Sequence, residues 1–326
     1  MKLRRGPQWL VALALTGMAL VAGSGATAAA SSSPTVVTTF PSGTFAESLT
    51  LGPDGTLYAS LTTWGEVVNS GQVFRIGQNG AQRPFGPSID VGPTALLTGV
   101  VFDSNGDLFV AAPDYGTGKS HIYLVTPKRV AVWATLPTGT FPNGVAVRDG
   151  WLYAADSYLG AIWRVPLTHP TAPTHPWYSS PLLAPSTGLG ANGIAFRGST
   201  LYLSVSDTGR IVRVPVTSSG SPGPASAVVT DQRLVTADGI AFDPFGYLWV
   251  TVNGTDPTAS GPGSVPPALV RVSPWGSVDP VVTAAAWMNY PTQPVLTPVG
   301  VFVENGAYYT GEPTVVLLTH LPATGN

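Results

Sequence analysis

The sequence contains no cysteine. That absence excludes disulfides, zinc–thiolate centres and thiol nucleophiles. Charge is also scarce, at 10% of residues, against the quarter or so usual in soluble domains. The hydrophobic share, 44%, nevertheless rules out a disordered chain. Beyond the first 30 residues no segment of useful length carries a helical period. Turn formers are plentiful instead: 38 Gly and 32 Pro among 326 residues, which is turn-rich but short of low complexity.

Residues 1–30 read as a secretory signal. Lys2, Arg4 and Arg5 precede an apolar run over 9–22, and Ala26-Thr27-Ala28 (or Ala28-Ala29-Ala30) offers a small-residue cleavage site. The apolar run is shorter than the ~20 residues that span a bilayer. The expected product is secreted or periplasmic, with no stable membrane anchor once the signal is cleaved. Without those three cations, 12 basic residues face 17 acidic ones, a net charge of −5. No basic patch remains for nucleic acid or anionic lipid, so the expected partner is a small molecule. Leu321-Pro322-Ala323-Thr324-Gly325 matches the pentapeptide cut by cell-wall sortases, but only Asn326 follows it. It is read as a chance match.

An internal repeat decides the architecture. The segment beginning Thr38-Thr39-Phe40-Pro41 recurs at Ala134-Thr135-Leu136-Pro137 with a constant offset, which superposes Glu47 on Asn143. Six units follow one plan. A first strand reads ESLTL at 47, TGVVF at 98, NGVAV at 143, NGIAF at 192, DGIAF at 238 and VGVFV at 299. A Gly-bearing turn, a second strand and a third come next, with a fourth visible as VAVWATL and DPVVTAA. β-Branched and aromatic residues dominate all of them. Repeated four-stranded units of this kind are propeller blades. The fold expected for 31–326 is therefore all-β, a six-bladed propeller of four-stranded blades. Its ring closes when residues 35–41 supply the outer strand that the last unit lacks, leaving no open edge.

In a propeller the first strand of each blade lines the central tunnel. Its opening residues, Glu47, Thr98, Asn143, Asn192, Asp238 and Val299, then converge at one mouth. Carboxylates buried together without a cation are costly, and nothing basic occupies this column. Glu47, Asn143, Asn192 and Asp238 offer hard oxygen ligands with no His or Cys, which suits calcium; magnesium, manganese and zinc remain alternatives. The blander reading gives Asn-Gly and Asp-Gly to strand-entry turns, which leaves Glu47-Ser48 unexplained. Loops expected on the same face, over 61–71, 113–120, 253–267 and 283–297, carry Trp64, Tyr115, Trp287 and Tyr290. With Phe141 and Thr98 these are the expected pocket residues.

A Glu, two Asn and an Asp opening inner strands 1, 3, 4 and 5 resemble the senescence marker protein/gluconolactonase (luciferin-regenerating enzyme-like) family. Its relatives are the paraoxonases, diisopropyl fluorophosphatase and strictosidine synthase-like proteins. The resemblance spans 35–320 and is carried by FPNGVAV…LYAADS and ADGIAF…LWVT. It implies a divalent ion that polarises a lactone, ester or phosphoester, with Asp238 as nucleophile or base. If Asp238 only ligates the ion, Glu47 or Glu312 is the fallback base. Sugar-acid lactonases of the family carry R-x-N-D-G, whereas this chain has Phe141-Pro142-Asn143-Gly144. The missing Arg implies a more apolar substrate. Paraoxonases add a His near the metal, and His121 is the candidate on that face. The expectation is a calcium-dependent hydrolase of a lactone or ester of a small, fairly apolar molecule, acting as a monomer. The alternatives are a non-catalytic binding propeller with a structural calcium and a metal-free interaction propeller.

Overall fold

Strands form where the repeats place β-branched and aromatic runs between turn residues. The computed structural model describes residues 34–116, 118–255, 264–308 and 310–319. The signal segment and the 321–325 pentapeptide lie outside them. Blade 1 is Thr44–Leu51, Leu57–Thr63, Asn69–Ile76 and Gln82–Pro84, with Ile89–Gly92 also pairing the third strand. Blade 2 is Val100–Phe102, Leu108–Ala112, Lys119–Thr126 and Arg129–Thr138. Blade 3 is Pro142–Arg148, Trp151–Asp156, Ala161–Pro166 and Tyr178–Ser179. Blade 4 is Ala191–Arg197, Thr200–Val205, Arg210–Pro215 and Ser226–Thr230, and blade 5 is Ala237–Phe242, Leu248–Val252, Ala268–Val272 and Val278–Thr283.

Blade 6 consists of Pro291–Thr297, Gly300–Asn305 and Thr314–Leu318, completed by Thr35–Thr39 from the other end of the propeller. Phe40 N donates to Pro313 O at 2.8 Å and Gly43 N to Gly311 O at 2.7 Å, extending the seam beyond the strand pair. The closure read from the sequence is thus present, but the register of this blade is not. The expected first strand at 299 is its second strand, and the expected loop over 283–297 contains its true inner strand. Val299 lies in the tight turn between the two and is 62% exposed. Thr292 holds the column position instead.

Apolar side chains gather as wedges between neighbouring blades. Phe109 and Ile122 of blade 2 meet Leu152 and Trp163 of blade 3. Tyr153 and Ile162 of blade 3 meet Leu201 and Leu203 of blade 4. The closing wedge joins Phe40, Leu57 and Ile76 to Val295 and Val315. Second strands are covered on both faces, and so Leu108–Ala112 and Leu248–Val252 are buried throughout. This sandwiching explains their uninterrupted apolar sequence.

One backbone device positions the site. Pairing between inner and second strands slips at the column residue in five blades: between Ala46 and Ser48, Pro142 and Val145, Ala191 and Ile194, Ala237 and Ile240, and Pro291 and Gln293. Such bulges re-aim side chains at barrel and propeller rims. Here they leave Glu47, Asn143, Asn192, Asp238 and Thr292 out of the ladder. The glycine that follows has its own reason. A Cβ on Gly99 or Gly144 would sit 2.5 or 2.6 Å from the carbonyl oxygen of Asn143 or Asn192. On Gly193 or Gly239 it would collide with the carbonyl of Asp238 or Thr292. The Asn-Gly and Asp-Gly pairs therefore serve close approach of adjacent inner strands rather than a turn.

Candidate metal centre

Glu47, Asn143, Asn192 and Asp238 line one cavity of about 400 Å³. Asn143, Asn192 and Asp238 are nearly inaccessible, at 3–4% exposure. The amides are oriented by residues that end the second strands. Asn143 Nδ2 donates to Ser157 Oγ at 3.3 Å, and Asn192 Nδ2 to Ser206 Oγ at 3.0 Å. Those hydroxyls in turn donate to Ala191 O at 2.7 Å and Ala237 O at 2.6 Å, on the neighbouring blade. Asn253 takes the same place in blade 5, donating to Asp238 Oδ2 at 2.7 Å and to Pro291 O at 3.0 Å. Because a serine holds one N–H of each amide, the amide oxygen is the atom better placed to meet a ligand. Asn192 Oδ1 is buried and has no hydrogen-bond partner, as are Glu47 Oε2 and Glu304 Oε1.

Glu304 was not singled out from the sequence because the blade-6 register concealed it. In three other blades the matching residue is a hydroxyl that ties to the next inner strand: Ser60 to Thr98 O, Ser204 to Asp238 O and Thr251 to Thr292 O, each at 2.7 Å. Glu304 replaces that hydroxyl with a carboxyl, fully buried, accepting from Thr292 Oγ1 at 3.2 Å. Three carboxyl groups consequently share one low-dielectric region. Burial pushes Glu47 well above the usual carboxylate range, and the carboxylates of Asp238 and Glu304 add to the effect. Burial raises Asp238 to about 7, against the pull of hydrogen bonds from Asn253 and Asn192. Burial raises Glu304 to about 8, opposed by the Thr292 hydroxyl and reinforced by Asp238.

These residues fit a divalent cation. Orphaned buried oxygens point to an absent positive partner, and the donors are all hard oxygen. Among the described residues no three Asp, Glu or His side chains gather closely enough to hold a metal ion. Acidic side chains alone therefore do not make a cation site here, and the amide oxygens of Asn143 and Asn192 would have to complete one.

The residues two positions before the column form a second ring. Phe45, Leu96 and Phe141 pack as one apolar cluster with Tyr290 against it, over blades 1, 2, 3 and 6. Over blades 4 and 5 the matching residues are Gly190 and Thr236. The ring is thus bulky on one side and small on the side of Asn192 and Asp238. Thr236 and Tyr290 have φ of 66° and 58°, the left-handed region that non-glycine residues seldom occupy. Backbone strain of this kind concentrates at functional sites.

Of the other expected pocket residues, Trp64, Tyr115, Phe141 and Tyr290 line the cavity, joined by Phe45, Tyr158 and Tyr308. Two do not. Thr98 is fully buried, and its Oγ1 donates to Pro142 O at 2.9 Å, so it ties blade 2 to blade 3. Trp287 packs beside Leu269, Met288 and Val316 in the wedge between blades 5 and 6. His121 lies in the third strand of blade 2, paired with Thr135 and 3.2 Å from its hydroxyl, outside the cavity lining. Glu312 is exposed and also outside that lining. Asp156 and Asp207 act locally. Asp156 accepts from the backbone of Phe141, Tyr158 and Leu159 and from the Trp163 indole, and Asp207 from the backbone of Ser186, Thr187 and Gly188.

Solved structures share this architecture. A protein of unknown function from Bacteroides caccae is similar with a TM-score of 0.57 and 12% identity, covering 78% of this chain and 87% of its own. A luciferin-regenerating enzyme gives 0.52 and 13% identity, covering 87% of this chain and 95% of its own. A calcium-binding regucalcin from Agrobacterium tumefaciens gives 0.52 and 16% identity, covering 90% and 93%. At such identities the likeness is one of fold, a β-propeller. No curated protein matches the chain. A family model describing a repeat of unknown function, DUF6923, matches residues 51–240, reaching into the inner strand of blade 5, and the chain belongs to that repeat family.

Proposed function

We propose that the protein is a divalent-metal-dependent hydrolase, with calcium as the resident ion, acting on a lactone or ester of a small, fairly apolar molecule. The observation that carries this reading is the convergence of Glu47, Asn143, Asn192 and Asp238 on one aromatic-walled cavity, with the amide nitrogens tied back by Ser157 and Ser206. These four residues would hold the ion. A bound divalent ion supplies Lewis acidity to a carbonyl or phosphoryl oxygen.

The chain's own residues supply the rest. Asp238 has one oxygen held by Asn253 and is also hydrogen-bonded by Asn192. It would act as base or nucleophile through the oxygen that Asn253 does not hold, while also a ligand of the ion. Gly190 and Thr236 leave the approach to Asp238 less obstructed than that to Glu47, so the reacting carbonyl is placed over blades 4 and 5. The aromatic side of the ring receives the apolar body of the substrate and excludes water from it. No Lys, Arg or His lines the cavity, which disfavours a polyhydroxy acid anion.

The test is turnover of a panel of lactones and aryl esters before and after chelation, for wild type and Asp238→Asn. The expected result is hydrolysis abolished by chelation and restored by calcium, with the variant lowered by about 10²-fold or more. Hydrolysis indifferent to both treatments contradicts the reading. The lack of a basic or imidazole group in the lining favours a second reading, a binding propeller with a structural ion. That reading predicts calcium-raised melting with no turnover across the panel.

A further inference from the structure

The composition of the cavity wall is more selective than an apolar substrate requires. Seven lining side chains are aromatic, while only Leu96 and Leu189 are aliphatic. The aromatic residues form two groups. On the blade 6 and blade 1 side, Phe45 lies 6.2 Å from Trp64 at 19° and 5.3 Å from Tyr308 at 81°, and Tyr308 stacks on Tyr290 at 5.6 Å. On the opposite side Phe141 lies 4.8 Å from Tyr158. Phe45 and Phe141 are buried, yet Trp64, Tyr115, Tyr158 and Tyr308 are 40–52% exposed at the rim. Four large exposed apolar side chains around one opening mark a binding surface.

We propose that this cavity takes a ligand carrying an alkylammonium group, seated against the Phe45, Trp64 and Tyr308 wall. The inference deepens the reading of this cavity as the substrate pocket and rests on it. Ring faces carry negative potential, and a quaternary ammonium gains from each face it meets, whereas a neutral alkyl group gains little more from rings than from aliphatic walls. No basic side chain lines the cavity to repel an organic cation. With a divalent ion held by Glu47 and Asp238 the charges there balance, and the ring faces are what favour the cation. The lopsided ring fixes its orientation. The ammonium lies over blades 6 and 1, and the remainder of the molecule reaches Asp238 past Gly190 and Thr236. A volume of about 400 Å³ suits a small ester bearing such a head group.

Titration of the full chain with choline and with 3,3-dimethylbutan-1-ol, its uncharged isostere, tests this in saturating calcium, read by tryptophan fluorescence and calorimetry. Choline is expected to bind at least tenfold more tightly than the alcohol. Trp64→Leu and Tyr308→Leu are each expected to weaken choline by roughly two- to thirtyfold while leaving the calcium titration unchanged. Absence of choline binding, an alcohol that binds as tightly, or variants that leave choline unaffected would overturn the proposal, whatever calcium does. Preserved choline preference with a flat calcium titration would support the aromatic site and overturn the metal reading instead.

Discussion

At the scale of single residues, the site depends on groups that orient others. Ser206 accepts from Asn192 and donates to Ala237 O, so it sets which end of the amide faces the cavity and where Asp238's strand runs. Ser206→Ala is expected to weaken calcium binding by about tenfold, as losses of such orienting partners usually do, with little change in the far-ultraviolet dichroism. Calorimetric titration of the variant checks it, and unchanged affinity would assign the amide orientation to other contacts. The sequence displayed Glu47, Asn143, Asn192 and Asp238 because they open recurring strands. It displayed Ser157, Ser206 and Asn253 less plainly. For Ser206 and Asn253 the signal is a hydroxyl-x-polar ending, Ser204-Val205-Ser206 and Thr251-Val252-Asn253, which resembles ordinary turn chemistry until the partners are seen; Ser157 follows Ala155-Asp156 and lacks it. Thr98 was read as a pocket residue by its position, but its hydroxyl is occupied by the backbone of the next blade.

Among secondary-structure elements, the inner strands do most to fix the geometry. Gly193→Ala brings a Cβ into the backbone carbonyl of Asp238, and backbone has little room to yield. The variant is expected to lose about 1–3 kcal/mol of stability and, beyond that, to lose calcium affinity, since the collision displaces a ligand-bearing strand. Denaturant unfolding with and without calcium measures both effects; a variant as stable and as tight as wild type would remove close approach as the reason for the glycine. The first five blades were legible because the column residue and the small residue after it recur in step. Blade 6 was not. Its inner strand, Pro291–Thr297, contains Pro291 and Pro294, residues that argue against a strand. The innermost strand borders the tunnel and has no further partner on that side, so the missing N–H groups are tolerated. Val299-Gly300-Val301-Phe302-Val303 meanwhile mimics the first-strand pattern and drew the reading one strand too far along.

For the whole molecule, a closed ring gathers three carboxyl groups with raised affinity for protons. Between roughly pH 4, the ordinary carboxylate value, and the values of about 7 and 8 for Asp238 and Glu304, the metal-free folded state binds more protons than the unfolded chain. Stability must then fall as pH rises through that window. Calcium competes with those protons, so its stabilising effect runs the other way. Melting curves are expected to show metal-free protein less stable at pH 8 than at pH 5, with the rise produced by calcium greatest at pH 8. A calcium effect independent of pH would detach these carboxyl groups from the ion.

The central claim is that oxygen atoms from four distant inner strands form one cation site. Calorimetric titration of the metal-stripped full chain with calcium at pH 7.5 tests it most directly, alongside Glu47→Gln and Asp238→Asn. The account predicts one site per chain in the wild type, and at least a hundredfold loss of affinity in each variant with the fold intact. No heat of binding in the wild type, or equal affinity in all three proteins, would contradict it.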